Sequence, residues 1–409
     1  MTPTLVEELN AAVAEVAERG RAFWGAPAAP VERAVLHVAA PPDGGVPRYV
    51  ANLVRDQLER GWCVGVASPP GGDLERLLEG TDAELFPWTA RRAPGPSIVS
   101  EAVRLSGIVR ELDPEVVHLH SAKAGLVGRL AVRGSRATVF TPHAWSFEAV
   151  DGAMRSATIA WERYASRWAD AVVCVSEAER QRGAETFDAP WRVALTGVDL
   201  NAFTECTEDD RFAARRRLGL NGAPLAVCVG RLCEQKGQDV LLRAWGSVVE
   251  RVPDAELVLV GDGPNRADLE AIAGPGVSLV GARDDVADWL TAADVVTQPS
   301  RWEGMSMVML ESMACGRSLV VTDVDGAREA IDGNGAVVPI GDTLALADAL
   351  AERFLDPALT ATEGREARRR AETFHEFGST AEAIADIYGD VLRSRSAPAP
   401  AGELAAPVI

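Results

Sequence analysis

Short apolar runs alternate with amphipathic segments along almost the whole chain. The segments between the runs, such as GLVGRLAVR and QDVLLRAWGSVVERV, place apolar residues at helical spacing. Strands that alternate with helices are joined by right-handed crossovers, so the sheets are predicted to be parallel and covered on both faces. The predicted strands are VLHVAA (35–40), CVGVAS (63–68), VVHLH (116–120), TVFTPH (138–143), AVVCVS (171–176), LAVCVG (225–230), ELVLVG (256–261), VSLVG (277–281), VVTQPS (295–300) and SLVVTD (318–323).

The number of strands predicts an α/β protein with two doubly wound, Rossmann-like domains and a cleft between them, because one open sheet rarely holds so many. A length of 409 residues supports two cores. The alternation breaks at GVDLNAF and the polar stretch after it. We predict a helical extension at 1–30, a first domain at 31–200, a linker at 201–222, a second domain at 223–377, a terminal helix at 378–394 that packs back on the first domain, and a disordered tail at 395–409.

The composition narrows the classes of partner and compartment. A net charge of −19 disfavours sequence-independent nucleic-acid binding, which depends on clustered Lys and Arg. The six cysteines are scattered without a CxxC pair, which favours a reducing compartment and no structural zinc. No apolar run is long enough to span a membrane, and the acidic N-terminus is not typical of a signal or transit peptide. We therefore expect a cytoplasmic protein.

Two carboxylates stand eight residues apart in WEGMSMVMLESMACG, at Glu303 and Glu311. A fully helical segment would separate them by about 12 Å along its axis, roughly the span from the sugar to the ribose of a sugar nucleotide. The amides between them would lie at a helix N-terminus, where a diphosphate can bind. The spacing alone also fits one loop acid and one solvated helix acid.

Other candidate residues follow the carboxyl ends of predicted strands, where doubly wound domains bind ligands. Arg231 and Lys236, in GRLCEQKGQD, would cradle a diphosphate, although an exposed turn explains them equally well. Gly44 and Gly45 would let the backbone approach a ligand closely, although a plain tight connection is the favoured explanation for the pair alone. His143, in TPHAWSF, should face the same cleft unless it is structural. The segment VGDGP does not satisfy the dinucleotide fingerprint G-x-G-x-x-G.

Two patterns raise the question of a metal. His118 and His120 alternate within one strand and would share a face, as two metal ligands do. They lack an obvious third partner in the sequence, which favours a core or supporting role. Asp323 and Asp325 form a D-x-D at a strand end, and metal binding is the less favoured explanation for them.

In combination these segments resemble the retaining glycosyltransferases of family 4, which have the GT-B fold, over residues 33–394. The specific part is VGRLCEQKGQDVLLRAW, LVLVGDGP and VVTQPSRWEGMSMVMLESMACGRSLVVTDVDGARE; the first half adds DGGVPRYVANL, VVHLHSAKAGLVGRLA, TPHAWSF and TGVD. Similar enzymes move a sugar from a nucleotide donor with retention and without an obligatory metal. The likeness of VVHLHSAKAGLVGRLA to exopolysaccharide-type enzymes points to glycan assembly by a hexosyltransferase, and natural-product modification stays open.

The resemblance implies a donor site formed by both domains. Its members would be Gly44, Gly45, Gly230, Arg231, Lys236, Glu303, Gly304, Met305, Ser306, Met307 and Glu311. The catalytic residues would be His143, Glu303, Arg231 and Lys236. No metal and no cofactor are implied besides the nucleotide-diphosphate sugar itself, with a UDP-sugar favoured over a GDP-sugar.

The resemblance also divides the roles. Glu303 would hydrogen bond hydroxyls of the donor sugar and Glu311 those of the ribose. Arg231 and Lys236 would neutralise the leaving diphosphate, and His143 would lie near the anomeric centre. A diphosphate is a good leaving group, so cations and amides aimed at it suffice as catalysts and no general acid is needed. Same-face attack is favoured over a covalent intermediate, because no carboxylate can be assigned as the nucleophile.

Smaller details follow from the same comparison of motifs. Met305 and Ser306 would offer backbone amides to the diphosphate, and Gly45 would lie beside it from the opposite domain. Ala144 stands where the family often has glycine.

The motifs name neither the donor sugar nor the acceptor, which would be a carbohydrate, a lipid-linked glycan or a natural product. The basic, apolar segment AKAGLVGRLAVRGSRA would either touch anionic lipid at the inner membrane face or form a buried helix with a solvated rim, and we favour the second. A sugar-nucleotide epimerase of the same fold and a non-catalytic binding protein are the alternative functions.

Overall fold

The protein folds around two parallel β-sheets with helices packed against them, seen here in a computed structural model that describes residues 34–90 and 95–396. The predicted helix within 1–30 and the predicted tail beyond residue 396 lie outside the described residues. Every paired strand runs parallel to its neighbour. The doubly wound architecture predicted from the sequence is confirmed.

The first sheet has seven strands in the order β3-β2-β1-β4-β5-β6-β7. They are β1 (Ala34–Ala39), β2 (Cys63–Ser68), β3 (Glu84–Pro87), β4 (Val116–His120), β5 (Ala137–Thr141), β6 (Ala171–Cys174) and β7 (Trp191–Val193). The second sheet has six strands in the order β10-β9-β8-β11-β12-β13. They are β8 (Leu225–Val229), β9 (Glu256–Val260), β10 (Val277–Gly281), β11 (Val295–Gln298), β12 (Ser318–Thr322) and β13 (Ala336–Val338).

Helices connect the strands and cover both faces of each sheet. Those of the first half are α1 (Gly45–Glu59), α2 (Asp73–Leu77), α3 (Ile98–Leu112), α4 (Ser121–Val132), α5 (Gly152–Ala165) and α6 (Glu177–Ala184). Those of the second half are α7 (Glu208–Leu218), α8 (Gln238–Arg251), α9 (Arg266–Ile272), α10 (Val286–Ala292), α11 (Met307–Ala314), α12 (Ala327–Ile331), α13 (Thr343–Leu355), α14 (Pro357–Phe374) and α15 (Phe377–Ser396).

All ten predicted strands are present, and the three that were missed, β3, β7 and β13, lie at sheet edges. A central strand of a covered parallel sheet is buried on both faces and reads as a continuous apolar run. An edge strand needs less apolar sequence. The three missed strands have only three or four residues each, and β3 is largely exposed.

Helix α15 completes the core of the first sheet although it comes last in the sequence. Phe377, Ile384 and Tyr388 are buried in the same cluster as Tyr49 and Leu53 of α1. The chain therefore passes between the two halves twice, once after β7 and again before α15. The two passages lie side by side, since the Val198 amide donates to the His375 carbonyl at 2.7 Å and the Phe377 amide to the Val198 carbonyl at 3.1 Å.

Two expectations from the composition concern thiols and membranes. All six cysteines lie in the described part of the chain and are free thiols. Within residues 34–90 and 95–396, no helix combines the length and the apolar character that crossing a bilayer requires.

Candidate active site

Two helix N-termini, one from each half of the chain, meet at the carboxyl edges of the sheets. Helix α1 begins at Gly45, after Gly44 with a φ of 94°, and α11 begins at Met307 after Ser306. The helices approach so closely that a Cβ on Gly45 would lie 3.1 Å from Cγ of Met307. Helix N-termini carry partial positive charge and unpaired amides, so the junction suits an anion.

Glu303 lies in the loop before α11, not in the helix. The segment from Glu303 to Ser306 is irregular, so the fully helical separation that was considered for Glu303 and Glu311 does not apply. Glu303 is buried, and its Oε1 accepts hydrogen bonds from the ammonium of Lys236 and, at 2.9 Å, from the hydroxyl of Ser300. The structure thus joins two of the four predicted catalytic residues directly.

Glu311 points from α11 toward the first half of the chain. Its Oε1 accepts from the guanidinium of Arg48 in α1 at 3.0 Å, and its Oε2 is buried without a hydrogen-bond partner. Burial raises the pKa of this carboxyl, and Arg48 opposes the shift. Arg48 was not singled out from the sequence, although it lies within the motif DGGVPRYVANL.

Arg231 and Lys236 flank the turn after β8. The backbone carbonyl of Arg231 accepts a hydrogen bond from the side-chain amide of Gln238 at 3.0 Å, which fixes the turn against the start of α8. No residue in the described part of the chain pairs with the guanidinium of Arg231. Gly230 has a φ of 157°, and Gly261 packs so tightly beneath it that a Cβ would meet its carbonyl oxygen at 2.0 Å.

The loop Gly304–Ser306 is held by contacts from both halves. The hydroxyl of Ser176 donates to the Gly304 carbonyl at 3.0 Å, and a Cβ on Gly304 would lie 2.7 Å from Oε1 of Glu179. The Ser306 hydroxyl donates to Oε1 of Gln298 at 2.5 Å. Met305, the middle residue of this loop, is buried.

His143 lies in a strained turn at the end of β5. Its φ is 56°, and the φ of Ala144 is 122°, a region that side-chain-bearing residues rarely adopt. The buried carboxyl group of Glu179 holds the turn by accepting from the amides of Ala144 at 2.7 Å and Val175 at 2.8 Å. Burial raises the pKa of Glu179 to about 8, against the effect of these two amides. Glu179 was missed because nothing in SEAERQ marks a residue whose partners lie on other elements.

A third imidazole joins His118 and His120, so the expectation that they lack a third partner is wrong. His37 on β1 pairs in register with His118, and all three are buried. Within the described ranges this is the one group of three that could hold a metal ion. However, both ring nitrogens of each histidine already have hydrogen-bond partners, which does not fit three ligands facing a common ion.

The D-x-D carboxylates do not converge either. Asp323 pairs with Arg328 at 2.7 Å, and Asp325 pairs with Arg182 of the first half at 3.0 Å. Each aspartate is neutralised by its own arginine. The second pair ties the two halves together instead of framing an ion.

Helix α4 is a buried helix, as favoured from the sequence. Lys123 and Arg129 are buried and form ion pairs with Glu101 at 2.6 Å and Glu162 at 2.8 Å. Two of the basic residues considered for contact with a lipid surface are therefore unavailable to it.

Known proteins are similar to this chain in sequence and in architecture. A family model described as Glycosyltransferase Family 4 matches residues 43–202, and one described as Glycosyl transferases group 1 matches residues 223–356. The chain is 33% identical over 333 residues to the GDP-mannose-dependent alpha-(1-6)-phosphatidylinositol monomannoside mannosyltransferase of Mycolicibacterium smegmatis, covering 76% of this chain and 84% of that protein.

It is also 31% identical to the D-inositol 3-phosphate glycosyltransferase of Xylanimonas cellulosilytica, covering 87% of this chain and 93% of that protein. Among solved structures, Anabaena HepE in complex with UDP-glucose superposes with a TM-score of 0.76 at 21% identity, covering 87% of this chain and 99% of that one.

Proposed function

This chain belongs to glycosyltransferase family 4, and we propose that it transfers a sugar with retention of configuration and without an obligatory metal. The donor is a nucleotide-diphosphate sugar held between the second domain, at 223–377, and the first, at 31–200. The first domain binds the acceptor, and the linker at 201–222 connects the two.

The observation that carries this proposal is that two cationic side chains and the amides of a helix N-terminus lie on one side of the cleft. Arg231 has no carboxylate partner among the described residues, Lys236 lies five residues on, and the amides that open α11 face the same junction. Negative charge grows on the diphosphate as the glycosidic bond breaks. Cations and amides fixed in advance stabilise that charge most where water is excluded.

The two carboxylates suit hydroxyl groups at the opposite ends of the donor. Oε2 of Glu311 is a buried acceptor without a partner, and a ribose hydroxyl would supply the missing donor. Glu303 would accept from sugar hydroxyls while Lys236 moves to the diphosphate. His143 would lie near the anomeric centre. No carboxylate can be assigned as the nucleophile, which favours same-face attack over a covalent intermediate.

The names of related proteins widen the choice of donor. The sequence favoured a UDP-sugar, and HepE is described with UDP-glucose. The mycobacterial relative is named for GDP-mannose and for a phosphatidylinositol mannoside acceptor. We therefore propose a UDP- or GDP-hexose as donor and a glycan, lipid-linked or small-molecule acceptor, with peripheral contact to the inner membrane face where the acceptor is lipid-linked.

A donor panel tests the proposal on the full chain. UDP-glucose, UDP-galactose, UDP-N-acetylglucosamine and GDP-mannose are compared for thermal stabilisation, since a ligand at 100 times its dissociation constant adds about 2.7 kcal/mol. The stabilising donor is then incubated with glycan and lipid-linked acceptors, and the anomer of the product is assigned by NMR. Inversion of configuration, or the absence of stabilisation by every donor, contradicts the proposal.

Two comparisons test the assigned residues and the metal. Arg231→Ala is expected to lower kcat by about 100- to 1000-fold, the usual loss when a preorganised charge contact is removed. Arg243→Ala, which removes an exposed arginine paired with Asp239, is the matched control. EDTA should leave activity within about twofold. Loss of activity in EDTA with recovery on adding Mg²⁺ would show that the metal-independent mechanism is wrong.

A further inference from the structure

His143 is partly buried and is the outermost member of a row of hydrogen-bonded side chains whose other members are buried. Its Nε2 lies 3.2 Å from Nδ1 of His120, and Nε2 of His120 lies 2.9 Å from Nδ1 of His37. Nε2 of His37 in turn lies 2.8 Å from Oε1 of Gln57 in α1. The row thus begins in the cleft and ends in the core, three residues away from His143.

Each link constrains the next. A neutral imidazole has one N–H donor and one acceptor nitrogen, so the direction of one hydrogen bond fixes the direction of its neighbour. These rings are neutral at ordinary pH, since burial lowers the pKa of His37 to about 4 and that of His143 to about 3, and shifts the pKa of His120 in the same direction. All bonds in the row must therefore point the same way.

Gln57 determines the direction in which the hydrogen bonds of the row point. Its two ends differ, because an amide oxygen only accepts and an amide nitrogen only donates. The oxygen faces His37. Burial raises the pKa of the Tyr388 phenol in α15, and a hydrogen bond with the Gln57 amide opposes that shift, as a donor to the phenol oxygen does. The Tyr388 hydroxyl lies 2.6 Å from Nδ1 of His118, so it has a further acceptor for its own proton.

We infer that Gln57, acting through His37 and His120, holds His143 as the Nε2–H tautomer and leaves its Nδ1 as a hydrogen-bond acceptor for a hydroxyl of the bound sugar. His37 donates to Gln57, His120 to His37, and His143 to His120. No described residue hydrogen bonds Nδ1 of His143. Gln57, His37 and His120 are positioning residues, because they act only through His143. The sugar contact rests on the proposed function, whereas the tautomer does not.

Histidine tautomers can be read directly in the full-length protein. The chain contains five histidines, so ¹⁵N-histidine labelling and long-range ¹H–¹⁵N correlation resolve each ring without any donor present. We expect neutral Nε2–H rings at His37, His120 and His143 at pH 7. An Nδ1–H ring or an imidazolium at His143 overturns the inference. This measurement needs no variant, so a folding defect elsewhere does not affect it.

Two variants separate direction from mere support. Gln57→Leu removes the group that sets the direction, and His120 and His143 should then show both tautomers. Thr141→Val removes a hydroxyl that lies 2.8 Å from Nε2 of His118, a ring outside the row from Gln57 to His143. This variant should leave the tautomer of His143 unchanged. Gln57→Leu deletes the buried hydrogen bonds to His37 and Tyr388, and Thr141→Val deletes the one to His118, so both variants lose buried hydrogen bonding beside the row. Equal effects on His143, or no effect of Gln57→Leu, would overturn the inference.

Activity and metal content complete the test. If the two tautomers become equally populated, kcat/KM should fall by about twofold or more in Gln57→Leu, since apparent affinity follows the competent fraction. A change of tautomer in Gln57→Leu without this loss of kcat/KM would support the row of hydrogen bonds and contradict the contact between His143 and the sugar. One equivalent of zinc in the purified protein, bound by His37, His118 and His120, would overturn the row itself. Failure of the donor panel with the expected tautomers would refute only the proposed function.

Discussion

Replacing Ala144 with glycine is expected to stabilise the protein. Ala144 adopts a φ of 122° directly after His143, and a side-chain-bearing residue in such a conformation costs about 1–3 kcal/mol. Glycine removes that cost but loses more backbone freedom on folding, worth about 0.5–1 kcal/mol. The balance is a gain of about 1 kcal/mol, and the hydrogen bond from the residue 144 amide to Glu179 is kept.

The matched control is an alanine in the same loop with ordinary geometry. Ala149 is exposed and has a φ of −88°, so Ala149→Gly incurs the entropic loss without relieving strain. It should lower stability by about 0.5–1 kcal/mol. The two variants should therefore differ by about 1.5–2 kcal/mol, the sum of these two estimates.

Thermal denaturation measures the difference. A change of 1 kcal/mol moves the midpoint by about 2–4 °C in a domain of roughly 150–250 residues. Ala144→Gly should melt above the wild type and Ala149→Gly below it. If both variants melt at the same temperature below the wild type, the turn at His143 is unstrained and the reasoning fails.

Three further predictions concern Glu179 and the contacts between the domains. Glu179 has a raised pKa, so its native carboxyl keeps a proton that the unfolded chain releases. The free energy of unfolding should therefore fall between pH 4.5 and about 8, by at most about 1.4 kcal/mol per pH unit. Glu179→Gln should flatten that slope when stability is measured by urea titration at each pH. Gly304→Ala places a Cβ 2.7 Å from Oε1 of Glu179 and 3.0 Å from the amide nitrogen of Ala144. The clash should displace the loop and lower kcat/KM by about tenfold or more. Wild-type kinetics would show that the loop adjusts freely. Arg48→Ala leaves Glu311 buried without its cation, and because Arg48 is 35% exposed the expected loss of folding free energy is about 1–2 kcal/mol. Arg48→Lys should recover part of this loss. An unchanged melting temperature in Arg48→Ala would contradict the pairing.

The sequence predicts the fold better than the site because the two depend on different information. Buried central strands have local apolar runs, whereas the edge strands β3, β7 and β13 lack that signal. Arg231 and Lys236 could be identified because both lie on one turn after β8. The partners Arg48 and Glu311 are separated by 263 positions, and only the fold brings them together.

The histidine row shows the same limit. The alternation of His118 and His120 is visible in VVHLH, but His37 lies 83 positions before His120 in another strand. Its relevance depends on the parallel register of β1 and β4, which pairs His37 with His118. A local pattern can place a side chain on a face of a sheet. It cannot supply the neighbour on the adjacent strand.

The return of the C-terminal helix makes the first domain discontinuous in the gene. A fragment that stops at residue 200 would lack Phe377, Ile384 and Tyr388 and would expose the apolar surface of α1 that they cover. Deleting the C-terminus is thus a lesion of the first domain, not of the one that precedes it in sequence. An exchange of first domains between related enzymes would have to carry both segments, and a nick near residue 375 should leave α15 bound as a non-covalent subunit.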